Sequence, residues 1–211
     1  MDTFEMLRPI LILEHNQTQI APPLSDVQIA DAEIVLGKPL PPSFREWLLV
    51  MGDKAYLFDG NLQIDPLLDQ PEQPCIVHNL QRLNQYHWQL DPALIVFGSN
   101  GAGELWALDS AVSTTEGEYP VVQVGAIFSD EGRNYKLRNS SFARFLYSQA
   151  LWWTRYFHPN LPEPKDESAE ENWIITVNRL LDPTIELGHP NVYAAPQTMT
   201  EIRSLFGQYS P

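Results

Sequence analysis

The sequence lacks the features that would place it outside the cell or in a membrane. Its single cysteine, Cys75, cannot form a disulfide within the chain, and such sparse cysteine usage is typical of a reducing compartment. No apolar run approaches the roughly 20 residues that a membrane-spanning helix needs. Asp2 and Glu5 stand where a secretory signal would carry positive charge. We therefore expect a cytoplasmic protein that does not associate with a membrane.

Positive charge is also scarce in this chain. The 13 Lys and Arg residues are outnumbered by 27 Asp and Glu residues, which gives a formal net charge of -14. Residues 1–132 contribute -14, residues 133–155 contribute +5 and residues 156–211 contribute -5. An acidic surface repels nucleic acid and attracts basic proteins, although it also simply keeps a protein soluble. We expect a basic protein partner and no nucleic acid.

Patterns that carry catalytic chemistry are missing as well. The five histidines have no spacing suited to a shared metal ion, and one cysteine cannot build a zinc site. There is no Gly-x-Ser-x-Gly elbow, and Cys75 has no base beside it in the sequence, which favours a buried, inert thiol. The acid pairs Glu116/Glu118 and Asp130/Glu131 fall in turns and leave a hydrolase as the weakest interpretation. The expectation is a non-enzymatic protein with no metal and no cofactor.

Hydrophobic spacing predicts helices on both sides of a set of strands. Ser25 or Asp26 can cap a first helix that Gly37 ends, and a second helix begins after Pro41 and ends at Gly52. The apolar positions that recur at helical spacing in the first helix are Val27, Ile29, Ala30, Ile34 and Val35. Short strands are predicted in "AYLFDG", "LQIDPL", "ALIVF", "ELWALD" and "YPVVQVGAIF", and helices in "IVHNLQRLNQYHWQL" and "SSFARFLYSQALWWTRYF". This order predicts an α+β fold with a mainly antiparallel sheet flanked by helices and a C-terminal helical extension.

The stretch "GSNGAG", residues 98–103, could cradle a phosphate or turn a strand. A phosphate-binding loop opens a helix, whose free N–H groups meet the anion, but an alternating strand follows here and no Lys-Ser/Thr comes after it. Asn100-Gly101 between two strand-like runs is a strong hairpin signal. Gly103 is then expected at a bulge or where another backbone comes close. We interpret the stretch as a hairpin turn.

Three short motifs follow one another within residues 25–157. The first is a glutamate before Leu-Gly, then Leu-Pro, an aromatic residue, a helix and a closing glycine; the second is a strand, a glycine-rich turn and a strand that ends in aspartate; the third is a small residue, a phenylalanine and a helix. The residues of these motifs are Glu33, Leu36, Gly37, Leu40, Pro41, Phe44, Leu48, Gly52, Phe97, Gly98, Gly101, Gly103, Glu104, Asp109, Ser141, Phe142, Phe145 and Leu146. In their order and spacing they resemble the SUKH superfamily, which includes fungal cell-wall-synthesis regulators and many bacterial immunity proteins.

This resemblance divides the chain into three parts. Residues 1–24 form an N-terminal extension, residues 25–157 form the SUKH-like domain, and residues 158–211 form a linker and a helical tail that we expect to dock on the core. The aromatic stretch "LWWTRYF", with Arg144 and Arg155, could stack bases, enter a membrane interface or simply pack in the core. It could also dock a tail helix over residues 168–181 through Trp173, Ile174, Val177 and Leu181.

The resemblance implies an intracellular immunity-type protein that binds and blocks a toxin. An acidic rim suits such a role because it can steer a basic partner. The residues expected in this rim are Asp53, Asp59, Glu116, Glu118, Asp130 and Glu131. The rival hypothesis is a regulatory scaffold that uses the basic segment 133–155 and the C-terminal tail.

Overall fold

The computed structural model describes residues 19–57, 62–68, 75–78, 90–125 and 135–157, together with Thr200 and Arg203. Residues 76–78 are helical, in agreement with the start of the helix predicted there. Residues 58–61 between two of the predicted strands, the rest of that helix and the tail helix predicted over residues 168–181 lie outside the described residues.

A single antiparallel sheet organises the described residues. Its seven strands are neighbours in the same order as in the sequence, and each strand pairs antiparallel with the next, so the sheet is a meander. This confirms the α+β prediction with an antiparallel sheet. The strands are β1 (Gln19–Ile20), β2 (Ala55–Leu57), β3 (Leu62–Ile64), β4 (Leu94–Ser99), β5 (Leu105–Asp109), β6 (Val121–Val124) and β7 (Tyr135–Asn139).

The sequence does not predict the two outer strands. β1 lies inside the stretch assigned to the N-terminal extension, and its residue Gln19 pairs with Tyr56 of β2. β7 has the polar sequence "YKLRN", which predicts a loop before the last helix. Both strands form because a neighbouring strand offers an open edge, and backbone pairing needs no apolar side chain.

Three helices whose bounds lie within the described residues flank the sheet, and local sequence signals fix their ends. They are α1 (Asp26–Leu36), α2 (Pro42–Val50) and α3 (Phe142–Phe157). Ser25 and Gln28 form a reciprocal capping box at the start of α1, and Gly37 ends it with φ 66°. Ser141 caps α3, since its Oγ accepts the Arg144 N–H at 3.3 Å.

The buried face of α1 differs from the prediction. Ile29 and Ala32 are the buried residues of this helix, whereas Val27, Ile34 and Val35 are 70%, 78% and 63% exposed. Helical spacing identified the apolar positions correctly. It could not decide which stripe faces the sheet, because α1 has apolar residues on two sides.

The first face of the sheet carries an aromatic core under the helices. Phe142 of α3 lies 4.7 Å from Phe44 of α2 and 5.3 Å from Phe97 of β4, measured between ring centroids. Phe97 also lies 5.8 Å from Phe145, and all four rings are fully buried. Edge-to-face rings of this kind bury large apolar areas and prefer fixed orientations. This cluster sets the positions of α2 and α3.

The second face of the sheet carries an aliphatic cluster. Strand alternation sends every second side chain of β4, β5 and β6 to this side. The cluster comprises Leu90, Leu94, Val96, Ala107, Val122, Val124 and Tyr135, with Leu105 and Leu137 packed against it. No side chain of α1, α2 or α3 among the described residues belongs to it.

No helix in the part of the chain that the structure describes combines the length and the apolar character that a bilayer crossing requires.

Candidate functional site

The glycine-rich stretch forms a hairpin between β4 and β5, as predicted. Asn100 N–H donates to the Glu104 carbonyl at 3.1 Å, which closes the turn, and Gly101 and Gly103 have φ 72° and 92°. A close backbone approach occurs at Gly98, because a Cβ there would lie 1.9 Å from the Gln63 carbonyl oxygen. Gly98 therefore lets β3 pair with β4.

The amides of this turn are not arranged for an anion. Asn100 Oδ1 accepts the Ala102 N–H at 2.9 Å and the Glu104 N–H at 3.1 Å. An anion site needs converging free N–H groups, usually at a helix start, and here a strand follows the turn. The hairpin thus supports the sheet and does not form a phosphate cradle.

The predicted acidic rim is not one continuous surface. Asp53 is only 5% exposed, and its Oδ1 accepts the Leu67 N–H at 2.6 Å, so the expectation that it lies on the surface is wrong. Buried carboxylates require such partners, which sequence alone does not reveal. Glu116 is exposed, whereas Asp59, Asp130 and Glu131 lie outside the described residues.

Glu118 is half-buried and holds the start of α2. Its Oε1 accepts the Ser43 N–H at 2.8 Å and its Oε2 accepts the Ser43 Oγ–H at 2.6 Å. Burial raises the pKa of the Glu118 carboxyl, the two bonds from Ser43 oppose this, and the charge of Glu116 raises it further, so the net direction is upward. A carboxylate at a helix N-terminus is a favourable structural arrangement. Both oxygens of Glu118 therefore already have a structural role.

Cys75 has a neighbour that sequence reasoning missed. His78 Nδ1 lies 3.5 Å from Cys75 Sγ, because residues three apart face each other on a helical turn. The thiol is only 1% exposed, so a substrate cannot reach it in this conformation. Across the described residues, no group of three or more His, Cys, Asp or Glu side chains is arranged to hold a metal ion.

The family glutamate Glu33 ties the α1–α2 corner together. Its Oε1 accepts the Leu40 N–H at 2.7 Å, and its Oε2 accepts Arg45 Nη1 at 2.6 Å. Arg45 also bonds Asp26 at 3.2 Å. This motif residue therefore stabilises the turn between two helices, and the other motif residues Gly37, Pro41 and Gly52 lie at helix ends.

The family aspartate Asp109, at the end of β5, binds an arginine from the far end of the chain. Arg203 donates from Nε to Asp109 Oδ2 at 2.8 Å and from Nη2 to Asp109 Oδ1 at 2.8 Å, while its Nη1 reaches Asp91 Oδ2 at 2.9 Å. Asp109 is fully buried. We call these three residues the arginine clamp. Asp109 stands in a family motif, whereas no local pattern marks Arg203, whose partner lies 94 residues away.

In the arginine clamp, Arg203 and Asp91 each favour the charged form of the other. Burial acts to raise the pKa of Asp91, but hydrogen bonds from Arg203 and the Ala93 N–H outweigh it and lower the pKa. The hydrogen bond to Asp109 is the main cause that raises the pKa of Arg203. Lys38 lies nearby and donates to the Pro92 carbonyl, and burial lowers its pKa although Asp109 and Asp91 act in the opposite direction.

The basic segment 133–155 does not form a uniform positive patch. Arg138 Nε donates to Gln123 Oε1 at 2.6 Å, and the guanidinium lies 5.9 Å from the centroid of the Trp106 ring. Arg144 is exposed, whereas Arg133 and the side chain of Arg155 lie outside the described residues. Part of this positive charge therefore serves the fold.

The most open apolar surface lies on α1. Within the described ranges, the large apolar side chains that are exposed are Val27, Ile34 and Val35, all on this helix. Asp26 and Asp31 on the same helix are also exposed. We call these five residues the α1 surface.

The fold and these sites define an α+β domain with helices on one face of an antiparallel meander, in which the described motif residues serve packing and turns. The SMI1 / KNR4 family (SUKH-1) matches residues 23–148, which is more than half of the chain, and the chain belongs to this family. The family is generally non-catalytic. No curated protein matches the chain.

Proposed function

We propose that this chain is a non-enzymatic, intracellular protein-binding domain of immunity type, which neutralises a basic protein through the α1 surface. Family membership supports a binding role, because the family is generally non-catalytic and often comprises toxin immunity proteins. The acidic character of the chain supports a basic partner.

The observation that carries this proposal is the exposed apolar side of α1. Val27 is 70% exposed and Ile34 is 78% exposed, although both lie on a helix whose opposite side is packed in the core. Contiguous apolar patches on a protein surface mark interaction sites, since leaving them in water costs free energy that a partner can recover. Val27 and Ile34 are seven residues apart, two helical turns, and lie on one side of the helix.

Charge selects the kind of partner. Asp26 and Asp31 are exposed beside the apolar side chains, and the chain carries a net charge of -14. The partner that fits is a protein with an apolar ridge flanked by Lys or Arg. Glu116, together with Asp59, Asp130 and Glu131, would add long-range attraction that raises the association rate more than it slows dissociation.

Titration calorimetry with a candidate toxin, sought among the products of the neighbouring genes, tests the proposal. We expect Ile34→Ser combined with Val27→Ser to weaken binding at least about tenfold, because both apolar contacts are lost. Thr115→Ala changes an exposed residue in the loop between β5 and β6 and is the matched control, which should bind as wild type. Unchanged affinity of the double variant would refute the α1 surface as the binding site.

A charge reversal distinguishes the rival scaffold hypothesis from binding through the α1 surface. Arg144→Glu alters the exposed part of the basic segment without touching a described core contact. A scaffold that binds through residues 133–155 would lose its partner in this variant, whereas the α1 surface would retain it. Deleting residues 158–211 is the poorer test because it removes Arg203 and leaves Asp109 buried without its cation.

A further inference from the structure

The second face of the sheet is buried although α1, α2 and α3 contribute no side chain to it. We propose that the C-terminal segment of this chain, residues 158–211, covers this face as an additional layer, and that Arg203 fastens it there through the arginine clamp. The proposal concerns the architecture of the domain and does not depend on the identity of any partner.

The burial of the aliphatic cluster requires a covering layer. Leu94, Ala107 and Val122 are 0% exposed and Val124 is 1% exposed. Strand neighbours shield the edges of a side chain but leave its outward end open, since sheet side chains stand roughly perpendicular to the strands. An antiparallel sheet with one bare face would expose these residues to water. Another part of the chain must lie on them.

The arginine clamp identifies that part. Asp109 lies on the same side of β5 as Ala107, because strand residues two apart share a face, and it is the antiparallel partner of Leu94 in β4. Arg203 therefore reaches the sheet from the second face, at the rim of the aliphatic cluster. Arg203 comes from the C-terminal segment, so this segment passes over that face.

The sequence of the segment suits this position. Residues 158–199 connect the end of α3 at Phe157 to Thr200, and they include Trp173, Ile174, Val177 and Leu181 at helical spacing. An apolar helix face of this kind needs a surface to pack against. The second face of the sheet offers an aliphatic surface that no described helix occupies.

Residues 79–89 are the competing occupant. They connect Ile76, which belongs to the aromatic core, to Leu90, which belongs to the aliphatic cluster. Their presence on the second face would not explain why Arg203 is seated there. The position of Arg203 therefore favours the C-terminal segment as the occupant, and the experiment below distinguishes it from residues 79–89.

The clamp is built to hold a chain segment in place. Two parallel N–H···O bonds fix the plane of the guanidinium on Asp109, and a third bond to Asp91 fixes its rotation. Asp109 is 0% exposed, so losing Arg203 leaves a buried carboxylate without its cation. The clamp thus links the position of the segment to the stability of the sheet.

Cleavage of the full chain tests the cover directly. A site-specific protease sequence inserted after Pro164 allows the folded protein to be cut between α3 and the clamp. We expect the C-terminal fragment to co-elute with the rest of the chain in gel filtration, and Arg203→Ala to release it. Arg144→Ala, which removes an exposed arginine, is the matched control and should retain the fragment.

Thiol labelling shows which face the fragment covers. Val122→Cys places a cysteine on the second face and Val121→Cys places one in the core of the first face, and both positions are 0% exposed. When Arg203→Ala releases the fragment from the cleaved protein, the labelling rate of Val122→Cys should rise at least tenfold. The labelling rate of Val121→Cys should stay unchanged. The native Cys75 is 1% exposed and supplies a slow background that the parent protein measures.

Two results would overturn the proposal. One is a cleaved parent protein whose fragment separates while the remainder keeps its far-UV circular dichroism and its protection at Val122→Cys, which would assign the cover to residues 79–89. The other is an equal labelling rate for Val121→Cys and Val122→Cys after the C-terminal fragment has been released. If Arg203→Ala does not fold, Arg203→Lys tests the same point, because a single ammonium cannot make the two parallel bonds and should retain the fragment only in part. Full retention by Arg203→Lys would refute the role of the clamp.

Discussion

The two faces of the sheet carry different kinds of contact. On the first face, rings of α2, α3 and β4 interlock, with Phe44 and Phe142 only 4.7 Å apart. On the second face the described side chains of the cluster are aliphatic apart from Tyr135, and the described contact with Arg203 is the polar arginine clamp. Aromatic rings fix the orientation of a helix because they pack in preferred geometries. Aliphatic contacts are less directional, so a polar contact such as the arginine clamp is needed to fix the position of a segment that packs on them.

The largest expected effect compares core truncations on the two faces. Phe142→Ala should cost about 3–5 kcal/mol of the free energy of unfolding, and Leu94→Ala about 2–5 kcal/mol, because both residues are fully buried. Urea denaturation followed by circular dichroism measures both values. A cost below about 1 kcal/mol for Leu94→Ala would mean that the second face is solvated, and the comparison would fail.

The next prediction compares the two family carboxylates. Asp109→Asn should cost about 3 kcal/mol, because it leaves Arg203 facing a neutral amide at a fully buried site. Glu33→Gln should cost about 1–2 kcal/mol, because Glu33 is 18% exposed and the carbonyl oxygen of the glutamine side chain can still accept the Leu40 N–H. Thermal unfolding of both variants beside wild type tests the order. The reverse order would place the more important anchor at the α1–α2 corner.

Low pH should reduce the contribution of the arginine clamp to stability on the second face, and not that of Glu118 beside the first face. The folded-state pKa of Asp91 is lowered from its ordinary value of 3.8, so its contribution is present above that pH and is lost as the pH falls through the folded value. We expect the stability difference between wild type and Arg203→Ala to shrink below about pH 4, by no more than about 1 kcal/mol because Asp91 is partly exposed. Denaturation curves at pH 7, 4 and 3 measure this difference.

Glu118, beside the first face, provides the control of opposite sign. Its pKa is raised from the ordinary value of 4.5, so its contribution is present below that pH and is lost as the pH rises through the folded value. Glu118→Gln should remove this dependence. A stability difference between wild type and Arg203→Ala that stays constant from pH 7 to pH 3 would contradict the role given to Asp91.

The smallest effect is expected on the α1 surface. Ile34→Ser should change stability by no more than about 0.5 kcal/mol, because the side chain is 78% exposed and its loss leaves no cavity. Ile29→Ser on the buried side of the same helix should cost several times more, since Ile29 is 0% exposed. A large loss for Ile34→Ser would show that part of the chain covers the α1 surface.

Local features followed from the sequence because each depends on a few neighbouring residues. The caps at Ser25 and Gly37, the hairpin at Asn100-Gly101 and the alternation of β5 were all predicted. The interaction of Glu118 with Ser43 was not, because these residues are 75 positions apart and neither has a distinctive pattern. The burial of Asp53 was missed for the same reason.

What the sequence by itself determined is the order of elements, their main boundaries and the family. These depend on hydrophobic period and on backbone preferences, which act over one or two turns of the chain. Only the tertiary structure decided which side of α1 meets the core, that "YKLRN" completes the sheet as β7 and that Arg203 binds Asp109. Each of these outcomes depends on which surface was left open by the rest of the fold, and no local pattern encodes that.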